Sequence, residues 1–185
     1  MGSVVHVWSA RAGLESRLTA RKLLLDLAGT LVDRPSLRHD EAGRPHVPGL
    51  AVSVTYSQHR VAVAASYDGP VGVDLEEITP RDFQSLANRW FTQRELDWMA
   101  GQQDRLEAFL QLWTAKEAVG KALGAGLRGS GLRREMPLGG GRIESAPGLS
   151  VTYLPCAGGV LTLAAPTGVG VHLASPGLDP VCARG

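Results

Sequence analysis

Gly72-Val73-Asp74-Leu75-Glu76, with Val71 before it, alternates apolar and acidic residues. In a strand, successive side chains point to opposite faces. Val71, Val73 and Leu75 then share one side, and Asp74 and Glu76 share the other. The apolar side needs a core. The acidic side sets two like charges close together, which repel unless a cation lies between them or water surrounds them. Hard divalent cations such as Mg²⁺ take one or two carboxylates per site and leave the other positions to water and phosphate. A solvent-facing edge strand with two exposed acids fits the same pattern, so this stretch alone leaves both readings open.

Some forty residues on comes Trp113-Thr114-Ala115-Lys116-Glu117-Ala118-Val119-Gly120-Lys121. It lies in the longest helical pattern, residues 105–123, closed by Gly124 and Gly126. Trp113, Glu117 and Lys121 fall at i, i+4 and i+8, along one side of that helix. A surface Glu117–Lys121 pair worth a few tenths of a kcal/mol would explain the spacing equally well. Gly120 inside the helix costs about 1 kcal/mol against alanine, which marks close approach of another backbone or a ligand.

Working outward, residues 4–8 read as a first strand and 14–32 as an amphipathic helix, with Leu18, Leu24, Leu25, Ala28 and Leu31 on its buried side. Residues 33–49 read as a loop holding Gly43-Arg44-Pro45. Strands follow at 51–56, 61–66 and 71–76, and a helix at 81–90. Thr92 with Glu95 three residues later has the capping-box spacing, which accounts for Glu95 better than metal binding does. The Gly- and Pro-rich tail, 129–185, offers two strands, 149–154 and 160–165, and its last dozen residues read as unstructured.

The chain has 185 residues, enough for one domain or two small fused halves, and 44% hydrophobic with 20% charged residues is the balance of a soluble globular protein. A net charge of +1 and 5% aromatics argue against a nucleic-acid binder. No apolar stretch approaches the roughly 18 residues of a membrane span. The N-terminus lacks a secretory pattern, and His6 stands where a myristoylation signal needs Ser or Thr. Cys156 and Cys182 make neither a disulfide framework nor a zinc cluster, so a reduced, cytoplasmic protein is expected. His6, His39, His46, His59 and His172 show no metal-ligand spacing. Residues 128–142 carry four arginines, Arg128, Arg133, Arg134 and Arg142, against Glu135, a basic segment that could dock an acidic partner.

Taken together, the two constellations resemble the signature of the 4′-phosphopantetheinyl transferase superfamily, a Gly-x-Asp-x-Glu strand followed by a Trp-x-x-Lys-Glu-Ala-x-x-Lys helix. Arg89-Trp90-Phe91-Thr92-Gln93-Arg94-Glu95 is similar to the family's Arg-Phe-Phe-Ser-x-x-Glu segment, and Gly43-Arg44-Pro45 to its Gly-Lys-Pro loop. Residues 52–57 stand in the place of its Phe-Asn-x-Ser-His-Ser strand, and Arg21 in that of an arginine on an N-terminal helix. About seventy residues precede the acidic strand, which resembles the surfactin-synthetase-activator type rather than the short trimeric synthases.

That resemblance implies an α+β fold of two pseudo-symmetric halves in one monomeric chain, here 1–69 with a shortened N-terminal half and 70–185 with the catalytic motifs. It implies that Asp74, Glu76 and Glu117 bind Mg²⁺ (or Mn²⁺), and that phosphopantetheine passes from coenzyme A to a serine of an apo acyl, polyketide or peptidyl carrier protein, releasing 3′,5′-ADP. Glu117 would be general base and Lys121 would steady the leaving group. Arg21, Arg44, Pro45, Thr55, Tyr56, Lys116 and Lys121 would contact coenzyme A. Two features depart from the pattern. Thr55-Tyr56 replaces the family's Ser-His, and tyrosine cannot carry histidine's positive charge. The basic segment that binds the 3′-phosphate is missing, with Arg11 and Arg17 the nearest substitutes. Two rival readings are a Mg²⁺-dependent hydrolase of nucleotide pyrophosphates and a non-catalytic module that binds coenzyme A or a carrier protein.

Overall fold

The computed structural model describes residues 3–124 and 129–176. Gly126, Arg128, Cys182 and nearly all of the expected unstructured tail lie outside the described residues.

The chain builds one pattern twice. Strand β1 (Val4–Arg11), helix α1 (Ser16–Gly29) and the hairpin β4 (Ala51–Tyr56) and β5 (Arg60–Ser66) form the first unit. In it, β1 pairs with β5, and β5 with β4, both antiparallel. Strand β6 (Gly72–Glu77), helix α4 (Arg105–Ala122) and the hairpin β8 (Ala146–Leu154) and β9 (Gly159–Pro166) repeat it, with β6 on β9 and β9 on β8. This is the pseudo-symmetric α+β architecture expected from the sequence.

Insertions distinguish the two units. A two-residue hairpin, β2 (Arg38–His39) with β3 (Pro45–His46), lies between α1 and β4, where a plain loop is expected from sequence. Helices α2 (Gln84–Trp90) and α3 (Gln93–Ala100) precede α4. A 3₁₀ turn (Gly129–Arg133) and strand β7 (Gly141–Ile143) follow it, and β7 extends the second sheet beyond β8. Strand β10 (Gly170–Ala174) then crosses back to pair in parallel with β1. The first sheet therefore runs β10-β1-β5-β4 and the second β6-β9-β8-β7.

Alternating strand patterns explain the packing. Val61, Val63 and Ala65 face α1, where they meet Leu23, Leu24 and Leu27. The intervening Ala62 and Ala64 face the other way, toward Val73, Leu75, Leu161 and Leu163 of the second sheet. The opposite face of that sheet, with Val151, Val160 and Ala164, lies under Phe109, Leu112 and Ala115 of α4. The buried face of α1 differs from the expected one, because Leu18 is 57% exposed while Ala20, Leu23 and Leu27 are buried. The helix begins at Ser16, two residues later than its apolar pattern suggests, and Leu14 stays outside it.

Candidate active site

The acidic strand and the catalytic-type helix are forced together by one glycine. A Cβ on Gly72 would lie 1.8 Å from the Ala118 carbonyl oxygen and 2.7 Å from the Ala122 nitrogen. Only glycine lets β6 press against α4 this closely. This close approach lies at the head of the acidic motif. The register follows from it: Val73 and Leu75 enter the core between the sheets, and Asp74, opposite Thr162 on β9, sits on the α4 side. There Thr114 and Thr162 share a hydrogen bond of 2.7 Å beneath the site.

Asp74 is 7% exposed. Its Oδ1 accepts from Lys121 Nζ at 2.7 Å and from the Thr55 hydroxyl at 3.1 Å. Lys121 also donates to the Val73 carbonyl at 2.9 Å and reaches the Val54 carbonyl at 3.4 Å. Glu76 accepts two hydrogen bonds from Arg81, both 3.0 Å. Glu117, half-buried on α4, receives no hydrogen bond among the described residues. Burial first, then the charge of Asp74, pushes its carboxyl up to about 7; Lys121 pulls it down and Glu76 adds to the rise. The three acids therefore act on one another electrostatically.

Lys116 belongs elsewhere. It and Glu95 are wholly buried and paired, Nζ standing 2.8 Å from Oε1 and 2.9 Å from Oε2. Nζ also donates to the Arg134 carbonyl at 2.6 Å. Helical neighbours diverge by about 100°, so Glu117 stays half-buried while Lys116 points into the core. The expectation that Lys116 touches coenzyme A phosphate is corrected: its ammonium is sealed from solvent. Glu95 forms the capping box with Thr92 and also accepts from the Met136 amide at 2.8 Å.

The candidate coenzyme A contacts divide between two concavities on either side of Gly43-Arg44-Pro45. A cleft of about 500 Å³ is lined by Arg44, Pro45, Ser53, Val71 and Lys121. Arg44 is held there by Asp40, Nε to Oδ2 at 2.8 Å, and by the Gly124 carbonyl at 2.7 Å. A second pocket of about 430 Å³ is lined by Arg17, Leu18, Arg21, His39, Pro45 and Tyr56. Tyr56 is 44% exposed at its mouth. Arg17 thus joins Arg21 at this pocket, and Arg11, at the far end of β1, does not line it. Thr55 is turned away, 6% exposed, its hydroxyl committed to Asp74. Its expected place among the coenzyme A contacts is corrected to a support for Asp74.

Three further residues escaped the sequence reading. Ser53 Oγ accepts from the Val73 amide at 3.0 Å, tying β4 to the otherwise open edge of β6. Arg81 pairs Glu76, and neither spacing nor motif points to it. Glu77 clamps the β4–β5 turn: it accepts from the Ser57 hydroxyl, from the His59 amide at 2.8 Å, and it contacts His59 Nδ1 at 3.0 Å. The Ser57 bond, with help from His59, holds this carboxyl down at about 2. An acid directly after Glu76 was the available signal.

Asp74, Glu76 and Glu117 supply only hard oxygen donors, the donor set that suits Mg²⁺ or Mn²⁺ bound with phosphate, and Lys121 links Asp74 to the cleft it lines with Arg44. As they stand, no three acids, histidines or cysteines among the described residues are gathered closely enough to enclose a metal ion. An open set suits Mg²⁺, which keeps several waters or phosphate oxygens.

Residues 70–139, which contain both motifs and the Glu95–Lys116 pair, match the 4′-phosphopantetheinyl transferase superfamily. Over this region the chain is similar to 4′-phosphopantetheinyl transferases. It is 31% identical over 126 residues to the 4′-phosphopantetheinyl transferase gsp of Aneurinibacillus migulanus, which covers 66% of this chain and 52% of that protein. It is 37% identical over 82 residues to the 4′-phosphopantetheinyl transferase HetI of Nostoc sp., 43% of this chain and 35% of the relative. It is 35% identical over 104 residues to the transferase AcpT of Salmonella typhimurium, 53% and 54% of the two chains. The chain spans about half the length or less of these curated relatives. Phosphopantetheinyl transferases thus share with it the region that carries the carboxylates. Among the described residues no helix is long and apolar enough to cross a membrane.

Proposed function

We propose that this chain transfers 4′-phosphopantetheine from coenzyme A to a serine hydroxyl of an apo carrier protein, leaving 3′,5′-ADP. The observation that carries the reading is Lys121, which lines the cleft with Arg44, bonds Asp74 Oδ1 at 2.7 Å and lies on the helix that carries Glu117. Residues 1–69 then contribute coenzyme A contacts and 70–185 the chemistry, in a monomer of the cytoplasm.

Asp74, Glu76 and Glu117 would hold Mg²⁺, which when bound neutralises the clustered acids and polarises the pyrophosphate. Phosphoryl transfer asks the protein mainly for positioning and charge stabilisation. Arg44 and Lys121 meet the pyrophosphate in the larger cleft, where an arginine fork suits phosphate oxygens. Arg21, Arg17 and Tyr56 take the 3′-phosphorylated adenosine end in the smaller pocket. Glu117 takes the proton of the carrier serine on a carboxylate oxygen. Lys121 then faces the charge left on the ADP phosphate. Thr55 and Arg81 orient Asp74 and Glu76.

Intact mass measurement of an apo carrier protein, incubated with this chain, coenzyme A and Mg²⁺, tests the reading. A gain of one phosphopantetheine unit that EDTA and Glu117→Ala both abolish supports it. Coenzyme A binding with no gain on acyl, polyketide or peptidyl carriers would make the chain a binding module. Release of ADP without any acceptor would make it a pyrophosphate hydrolase.

A further inference from the structure

We propose that Lys121 is the resident counter-cation of the carboxylate cluster, and that a divalent cation enters the site well only after coenzyme A has drawn this ammonium away. The inference rests on the reading of the site as one for a metal ion and coenzyme A.

An ammonium has three donors, and Lys121 has three acceptors: Asp74 Oδ1 at 2.7 Å, the Val73 carbonyl at 2.9 Å and the Val54 carbonyl at 3.4 Å. Two of these belong to β6 and one to β4, so the ammonium sits at the seam of the two units. A merely solvated lysine has no reason to thread between two backbone carbonyls. Arg81 stands in the same relation to Glu76. Two of the three acids thus already have protein cations. A divalent ion that seeks the Asp74 carboxylate meets a positive charge 2.7 Å from its Oδ1, in a setting only partly screened by water.

The cleft offers the release. Lys121 lines it together with Arg44 and is 29% exposed, so a phosphate entering there can reach the ammonium. A doubly anionic pyrophosphate is a stronger partner for Lys121 than one carboxylate oxygen and two carbonyls. As Lys121 turns to phosphate, Asp74 Oδ1 keeps only the Thr55 hydroxyl and its charge is left uncompensated, and the phosphate brings further metal ligands. Metal and coenzyme A then bind with positive coupling, and the coupling must be reciprocal.

Mn²⁺ binding to the full chain, read by loss of the free Mn²⁺ signal in electron paramagnetic resonance, tests this with and without coenzyme A. The wild type is expected to bind Mn²⁺ at least about tenfold more tightly with coenzyme A present. Lys121→Met is expected to bind Mn²⁺ at least about tenfold more tightly than wild type when coenzyme A is absent, and to lose most of the coenzyme A effect. Lys121→Gln keeps a polar group for the carbonyls and serves if the methionine variant does not fold. Wild-type Mn²⁺ binding that ignores coenzyme A overturns the proposal without any variant. So does a folded variant with unchanged Mn²⁺ affinity, in which case coenzyme A-promoted binding by the wild type keeps the reading of the site intact. Absence of Mn²⁺ binding under every condition would remove that reading, and this proposal with it.

Discussion

Replacing Lys116 with methionine separates a structural lysine from a catalytic one. Both partners of the Lys116–Glu95 pair are wholly buried. Burial lowers the Lys116 pKa despite the attraction of Glu95, so desolvation of the ammonium outweighs its pairing. Removing the lysine leaves the Glu95 carboxylate with only the amides of Thr92 and Met136 and the Arg134 carbonyl without its donor. Breaking one side of a buried pair costs about 3–5 kcal/mol. With a urea slope of about 2 kcal/mol/M, the unfolding midpoint falls by about 2 M. The double variant Lys116→Met/Glu95→Gln removes the orphaned charge and should recover part of the loss. Urea denaturation followed by circular dichroism gives the midpoints, and transfer to a carrier protein is measured on the fraction still folded. A midpoint shift worth less than about 1 kcal/mol would refute the buried-pair energetics. Lost transfer with an unchanged midpoint would return Lys116 to the phosphate-binding site.

Glu117→Gln should change stability in a pH-dependent way. With a folded value of about 7 against an ordinary 4.5, the wild type carries no penalty below pH 4.5, loses stability as pH rises to 7, and bears the full cost above it. Partial exposure limits that cost to about 1–2 kcal/mol, so without metal the variant should melt higher than wild type at pH 8 and equally at pH 4.5. Gly72→Ala must push α4 off β6, because both clashing atoms are backbone. A loss of about 3 kcal/mol in urea denaturation is expected, and a loss under 1 kcal/mol would show that the helix yields. Arg17→Ala should raise KM for coenzyme A about tenfold and leave dephospho-coenzyme A little changed; equal effects on both substrates would place the 3′-phosphate elsewhere.

The elements with a strong local period were legible, and those held by partners were not. Alternation identified β4, β5, β6 and the core of β9, and Thr92-x-x-Glu95 identified a helix start that the structure confirms in both hydrogen bonds. Strand β10 has an exposed, weakly patterned sequence and exists because β1 needs a partner on its open edge. The β2–β3 hairpin has only two residues per strand, too few for a period. Within the site, motif spacing pointed to the three carboxylates and Lys121. It could not separate Lys116 from Lys121, since both are lysines on one helix and only packing decides which is buried. Arg81 and Ser53 act through contacts across space that leave no trace in spacing.

The unit that makes the site work is larger than the segment shared with the superfamily. Residues 70–139 hold every candidate metal ligand. Beside the Lys121 and Arg81 bonds from within it, further support comes from outside it: the Thr55 hydroxyl on Asp74, Ser53 Oγ on the Val73 amide and the Val54 carbonyl facing Lys121. All three lie on β4, and consecutive strand residues can act together here because side chains and backbone serve different partners. Ser53 and Thr55 share one face of the strand, while the carbonyl between them points along its edge. The β4–β5 turn is fastened to the far end of β6 by Glu77. β6 is therefore held at Val73, Asp74 and Glu77 by one hairpin of the first unit. A replacement such as Thr55-Tyr56 for Ser-His then bears on both tasks at once, with Thr55 acting on the carboxylates from behind and Tyr56 facing the pocket beyond.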